Sequence, residues 1–173
     1  MNTHSKYIKQ SSLEDHAHQL LRDRGVRLEK IAEIVYDLQI QYIPDLTMDY
    51  CLENVIKVMK KREVQNAVIT GIELDMLAEK GVLSQPLLDI VINDEGLFGI
   101  DEILALSIVN VYGSIGFTNY GYIDKVKPGI LKHLNDKNDD QCHTFLDDIV
   151  GAIAAAAASR IAHDDPNKSE IMK

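Results

Sequence analysis

Two adjacent acids, Asp147 and Asp148, stand at the mouth of a helical stretch built almost wholly from small and apolar residues, Ile149-Val150-Gly151-Ala152-Ile153 and then Ala154 to Ala158. Side by side on such a surface, two carboxylates repel each other and lose hydration. An arginine, a lysine or a metal ion usually resolves that conflict. A second pair, Asp101-Glu102, opens another apolar helix, and Asp94 and Asp124 lie close by in sequence. Acids repeated at the entrances of apolar helices point to a shared divalent-cation site. A plainer reading competes, because the helix dipole favours acids in the first turn of any helix. Hard oxygen donors suit Mg2+ or Mn2+, ions that typically work on phosphate esters by neutralising phosphoryl oxygens and activating water. Lys127 is the nearest cation to these acids along the chain and could bind a phosphate oxygen. On residue type alone it reads equally well as a solvated lysine at a helix start. Asn93 and Asn119 are further candidates for orienting a ligand.

Other constellations point nowhere specific. Asp136, Asn138, Asp140 and Asp147 fall at positions 1, 3, 5 and 12 of a calcium-loop spacing. Yet the sharp-turn glycine is replaced by Gln141 and the bidentate Glu by Asp147, so a polar surface loop is the better reading. His16 and His18 lie on opposite sides of their helix, and His133, His143 and His163 are scattered without zinc spacing. Cys142 has no following Cys-x5-Arg stretch and reads as an ordinary cysteine. Neither a GxxxxGK[ST] loop, a GxGxxG element nor a GxSxG elbow is present.

The elements that must position these residues are helical. Ser12, Glu14 and Asp15 begin a first helix that Gly25 closes, and Leu28, Ile31, Ala32, Val35 and Leu38 mark a second that ends before Pro44. Thr47 caps a third, and a fourth runs from about Arg62 to Lys80 and stops at Gly81. A short helix is predicted over 84–92 with Pro86 just inside its start, and another over 100–111. Gly113, Gly116 and Gly121 are expected to break the following stretch into turns. Lys127-Pro128 introduces a helix to about Leu134, and the Ala-rich helix runs to about His163. With alanine and glycine on several faces, that last helix is expected to be central, covered by the chain itself or by a second subunit, which leans towards a homo-oligomer. The expected fold class is all-α: one multihelical domain over 1–173 around the Ala-rich helix, with 1–11 and 164–173 frayed.

Composition narrows the partners. A chain of 173 residues, 46% hydrophobic and 26% charged, can bury a core without disulfides or metals to staple it. A net charge of −9 and 6% aromatics with no Trp argue against nucleic acid. The same charge opposes unassisted docking on an anionic bilayer. The compact basic stretch Lys57, Lys60, Lys61, Arg62 reads as a solvated helix face that could steer an anionic substrate. Two distant cysteines, Cys51 and Cys142, fit a reducing cytoplasm. The polar segment 1–12 predicts no signal peptide, and the small-apolar run 149–159 falls short of the ~20 residues of a spanning helix, so no transmembrane segment is expected.

In chain order, Asn93-Asp94-Glu95-Gly96, Ile100-Asp101-Glu102-Ile103, Ile123-Asp124-Lys125-Val126-Lys127-Pro128 and Leu146-Asp147-Asp148-Ile149-Val150-Gly151-Ala152 resemble the phosphatidylglycerophosphatase A family. Within it the chain is most similar to the soluble YutG-like branch, also called low-temperature-requirement C proteins, with Gly71-Ile72-Glu73-Leu74 through Ala78 and Gly81 adding to the likeness. The resemblance covers about 71–163. It implies an all-helical fold and Mg2+-dependent removal of the terminal phosphate from phosphatidylglycerophosphate, with Mn2+ or Ca2+ as substitute ions. Carried over by position, it implies Asp101, Glu102 and Asp148 as metal ligands and Asp94, Asp124, Lys127 and Asp147 as catalytic residues, one acid serving as the base. Two features depart from the membrane members of the family. The N-terminal half is amphipathic rather than spanning, and Asp140-Gln141-Cys142-His143 stand where those members carry glycines. The first departure places a cytoplasmic protein at the inner membrane face, or gives it a smaller soluble phosphate ester. A non-catalytic metal-binding regulatory protein that keeps the acidic cluster is the rival reading.

Overall fold

The computed structural model describes residues 10–136 and 141–164. Among them every regular element is helical: α1 (Gln10–Asp23), α2 (Leu28–Gln39), α3 (Met48–Met59), α4 (Arg62–Glu79), α5 (Leu87–Ile92), α6 (Ile100–Val109), α7 (Gly113–Val126), α8 (Ile130–Leu134) and α9 (Leu146–Asp164). The two terminal segments expected to fray lie largely outside the described residues, as do Asn138 and Asp140 of the loop with calcium-like spacing.

Helix ends fall where local chemistry puts them. Thr47 Oγ1 accepts the Tyr50 N–H at 3.2 Å to open α3. Gly25 and Gly81 follow α1 and α4 with φ of +76° and +66°, a conformation costing a residue with a Cβ about 1–2 kcal/mol. Two expectations need correction. The helix predicted from residue 84 starts at Leu87, with Pro86 as the residue before it rather than inside it. Residues 113–126 form a continuous helix, α7, not a series of turns. Of the three glycines, Gly113 sits at the break, with φ +73°, and Gly116 packs where a Cβ would lie 3.1 Å from Val109 Cγ1. That close approach offsets the roughly 1 kcal/mol that a glycine costs inside a helix.

The Ala-rich helix is the axis of the fold. Every residue from Leu146 to Ser159 is buried on α9, which α2, α3, α4, α6, α7 and α8 pack around. Alanine at 154–158 keeps all faces of this helix narrow, so its neighbours can come close without leaving voids. Gly151 takes this furthest: a Cβ there would meet Ile123, Tyr120 and Leu131 side chains at 3.3 to 3.8 Å. The chain's own helices cover this surface, so the expected oligomer gains no separate support from it.

Candidate functional site

The first turn of α9 is held from below by an acid on α4. Asp75, 0% exposed, accepts the Phe145 N–H at 3.1 Å and the Leu146 N–H at 3.0 Å, two donors that a helix start leaves without intrahelical partners. Beside it Arg24 donates to the Cys142 carbonyl and pairs with Glu79 at 2.7 Å. Glu79 in turn accepts the Cys142 N–H at 2.7 Å, and Thr144 Oγ1 donates to the Val91 carbonyl at 2.6 Å. Three elements, the end of α1, α4 and α5, thereby fix the run 142–146 that leads into Asp147 and Asp148. None of Arg24, Asp75, Glu79 or Thr144 is a candidate in the sequence reading. Asp75 did carry a signal: it lies four residues after Gly71 and three after Ile72, an acid on the apolar stripe of its helix.

From this base the structure brings all seven candidate site residues to one cleft of about 120 Å³. Asp147 and Asp148 come from the start of α9, Asp101 and Glu102 from the start of α6, Asp94 from the α5–α6 loop, and Asp124 and Lys127 from the end of α7. Glu95, Asn135 and Thr144 complete its wall. The N-termini of α6 and α9 therefore converge, and their positive dipole ends favour negative charge there. Lys127 Nζ sits 2.8 Å from Asp124 Oδ1, 2.8 Å from Asp147 Oδ2 and 3.4 Å from Asp148 Oδ1. Asp147 Oδ1 also accepts the Asp148 N–H, and Asp101 Oδ1 the Glu102 N–H, each at 2.9 Å. Asn93 lies just outside this cleft, its amide donating to the Asp89 carbonyl at 2.7 Å; Asn119 is not part of the wall.

Two residues at the cleft hold costly backbone conformations. Asp94 (φ +48°) and Lys127 (φ +47°) are the non-glycine residues with positive φ among those described. Each costs of order 1–3 kcal/mol that surrounding contacts must sustain, a kind of strain that clusters at functional sites.

The electrostatics follow from seven acids around one lysine. Burial, and then the neighbouring charge of Asp147, push Asp148 up to about 7, and Lys127 offsets only part of this. Burial raises Asp147 as well, even with Lys127 at 2.8 Å, and raises Asp101 against the N–H donors it accepts. Burial alone would lower Lys127, but Asp147, Asp124 and Asp148 outweigh it and hold the ammonium more firmly protonated than usual. One cation is thus shared by too many carboxylates, and the cleft carries uncompensated negative charge. Cys142, raised by burial and by Asp75, is kept as a thiol, a poor nucleophile.

This donor set fits Mg2+ or a similar ion. It consists of hard carboxylate oxygens in excess of their cation, at two converging helix starts. Among the described residues no group of three acidic, histidine or cysteine side chains is arranged to hold a metal ion by itself. An ion that keeps several waters would need only one or two of these carboxylates together with substrate phosphate.

An all-helical domain whose helix starts aim acids into one cleft beside a lysine is the architecture implied by the sequence motifs. Residues 26–163 match the family Phosphatidylglycerophosphatase A, and the chain belongs to that family. The match reaches well upstream of the acidic motifs, into α2 and α3. The chain is 63% identical over 153 residues to the uncharacterized Bacillus subtilis (strain 168) protein YutG, covering 88% of this chain and 92% of YutG. It is 67% identical to the low temperature requirement C protein from Listeria monocytogenes, whose crystal structure superposes with a TM-score of 0.87 over 90% of this chain and 98% of that one. The crystal structure of Bacillus subtilis ypjQ, 52% identical, superposes with a TM-score of 0.87 over 96% of this chain and all of the other.

Proposed function

We propose that this protein is a Mg2+-dependent phosphatase that hydrolyses phosphatidylglycerophosphate to phosphatidylglycerol and phosphate, or acts on a related smaller phosphate ester. One observation carries the reading: residues from four separate segments meet in a single cleft that has more negative charge than its one lysine can balance. Asp101, Glu102 and Asp148 would hold the ion, which when bound supplies charge neutralisation for the phosphoryl oxygens. Lys127, at the cleft wall, would contact a phosphate oxygen of the substrate. A base that takes a proton from water must sit near the phosphorus with a pKa lifted towards neutrality. Asp147, raised by burial, suits that role better than Asp124, which shares Lys127 from a more exposed position. Asp94, in the loop opposite, lines the substrate's path.

The lipid substrate gains support from exposed apolar residues next in sequence to the cleft acids. Leu97 (92% exposed) and Ile103 (62% exposed) bracket Asp101 in sequence, and Ile100 beside it is half exposed. The stretch 100–126 is by length and composition apolar enough to cross a membrane, and only 28% of its most apolar window is buried inside the protein. The break before α7 and the acids Asp101, Glu102 and Asp124 within it favour contact with a bilayer surface over crossing. Peripheral placement at the inner membrane face is part of this proposal.

The test is phosphate release from phosphatidylglycerophosphate in mixed micelles, with Mg2+ and with EDTA, beside a panel of soluble phosphate esters. Metal-dependent release from the lipid is expected, and Asp101→Asn or Asp148→Asn is expected to abolish it while helicity is retained. Release from a soluble ester alone would reassign the substrate. Folded protein that releases phosphate from none of them would turn the reading into a non-catalytic metal-binding protein.

A further inference from the structure

Beneath the cleft lies a polar group that none of the described residues satisfies. Tyr120 is only 6% exposed, and its hydroxyl is buried without a hydrogen-bond partner. A buried hydroxyl without a partner destabilises the fold, so its retention calls for a reason. Its position supplies one. Tyr120, Asp124 and Lys127 are spaced four and three apart, which puts them on one face of α7 and its C-cap. The other two reach the cleft, and Lys127 touches Asp148. The Tyr120 ring lies over Gly151, its Cε2 3.7 Å from where a Cβ would stand, and Gly151 is three residues beyond Asp148 on α9. A larger residue at 151 would push the ring away. Burial raises the phenol's pKa, and the charges adding to that effect are Asp148 first, then Asp124, Asp147 and Glu102, all cleft acids.

We propose that Tyr120 is a positioning residue whose hydroxyl donates to the Asp148 carboxylate when a divalent cation occupies the cleft. Asp148 leans on Lys127 through the longest of that lysine's three contacts, 3.4 Å against 2.8 Å for the others. It is the carboxylate most readily released. Carboxylates that bind metals are themselves held by outer hydrogen bonds, and removing such a partner typically weakens metal affinity 10–100-fold. A turn of Asp148 towards Tyr120 on ion binding would give the buried hydroxyl its acceptor.

This inference rests on the cation reading of the cleft, and Tyr120→Phe tests it by binding and stability rather than turnover. Mn2+ titrated into wild type and variant by calorimetry is expected to bind the variant about 10–100-fold more weakly. In EDTA the variant is expected to melt at the wild-type temperature or above, because it loses an unsatisfied hydroxyl and no hydrogen bond. Equal Mn2+ affinity in the two proteins would overturn the inference while leaving the cation site intact. A lower melting temperature in EDTA would also overturn it, by showing that the hydroxyl already has a partner in the free protein. No saturable Mn2+ binding by wild type would remove the cation reading itself, and this inference with it.

Discussion

Asp75 is the residue whose removal tests the architecture of the site most directly. Its carboxylate is fully buried and accepts the N–H groups of Phe145 and Leu146 at the start of α9. In Asp75→Ala both donors lose their acceptor in a place water does not reach. Each unsatisfied buried donor costs about 1–3 kcal/mol, and a lost cap alone typically costs about 1 kcal/mol. One term opposes this: burial pushes the Asp75 carboxyl well above its usual range, so deleting it also removes an unfavourable buried charge. The net effect is therefore placed at about 2–4 kcal/mol of destabilisation. Asp75→Asn keeps a carbonyl oxygen for one of the two donors and should lose roughly half as much, about 1–2 kcal/mol. Urea unfolding at neutral pH measures both, read as a shift in midpoint at unchanged slope. At about 2–4 °C per kcal/mol for a domain of this size, the Ala variant should melt some 5–15 °C lower. A loss below about 0.5 kcal/mol in Asp75→Ala, the size expected of an ordinary surface change, would refute the capping account. So would an Asn variant less stable than the Ala variant.

Two further predictions concern packing and charge. Gly71→Ala would gain about 1 kcal/mol of helix propensity, but its Cβ would stand 2.3 Å from Ile149 Cδ1 and 3.0 Å from Phe145 Cβ, so overpacking at about 1–3 kcal/mol decides the sign and the variant should melt lower. Gly121→Ala, in open space on α7, should instead raise the melting temperature, and the same sign for both substitutions would contradict the packing described. The Asp148 carboxyl is raised to about 7 in the fold, above its unfolded range near 3.8, so the folded state binds more protons than the unfolded state between those values. Stability of the metal-free protein should therefore fall, on this group's account, as pH rises from about 4 to 7. Urea midpoints in EDTA across that range should show a steeper fall for wild type than for Asp148→Asn, and equal slopes would show that Asp148 titrates normally.

What the residues disclosed without a structure was local. The 3.6-residue periodicity, the Thr47 cap and the stops at Gly25 and Gly81 depend on neighbours within a turn or two, so the helices were legible in order and nearly in extent. The acids at helix starts were legible for the same reason. Where packing between two helices sets the outcome, as when Gly116 of α7 fits against Val109 at the end of α6, the glycine signal points to turns and the structure has a helix. Only the tertiary structure decided which acids share a cleft, because Asp94, Asp101, Asp124 and Asp147 are brought together by the packing of α6 and α7 on α9. It also decided that Lys127 is shared among three carboxylates, that an acid on α4 caps α9, and that Tyr120 lies unpartnered beneath the cleft. Burial and distance create those charges and shifts, and neither is a property of a residue's neighbours along the chain.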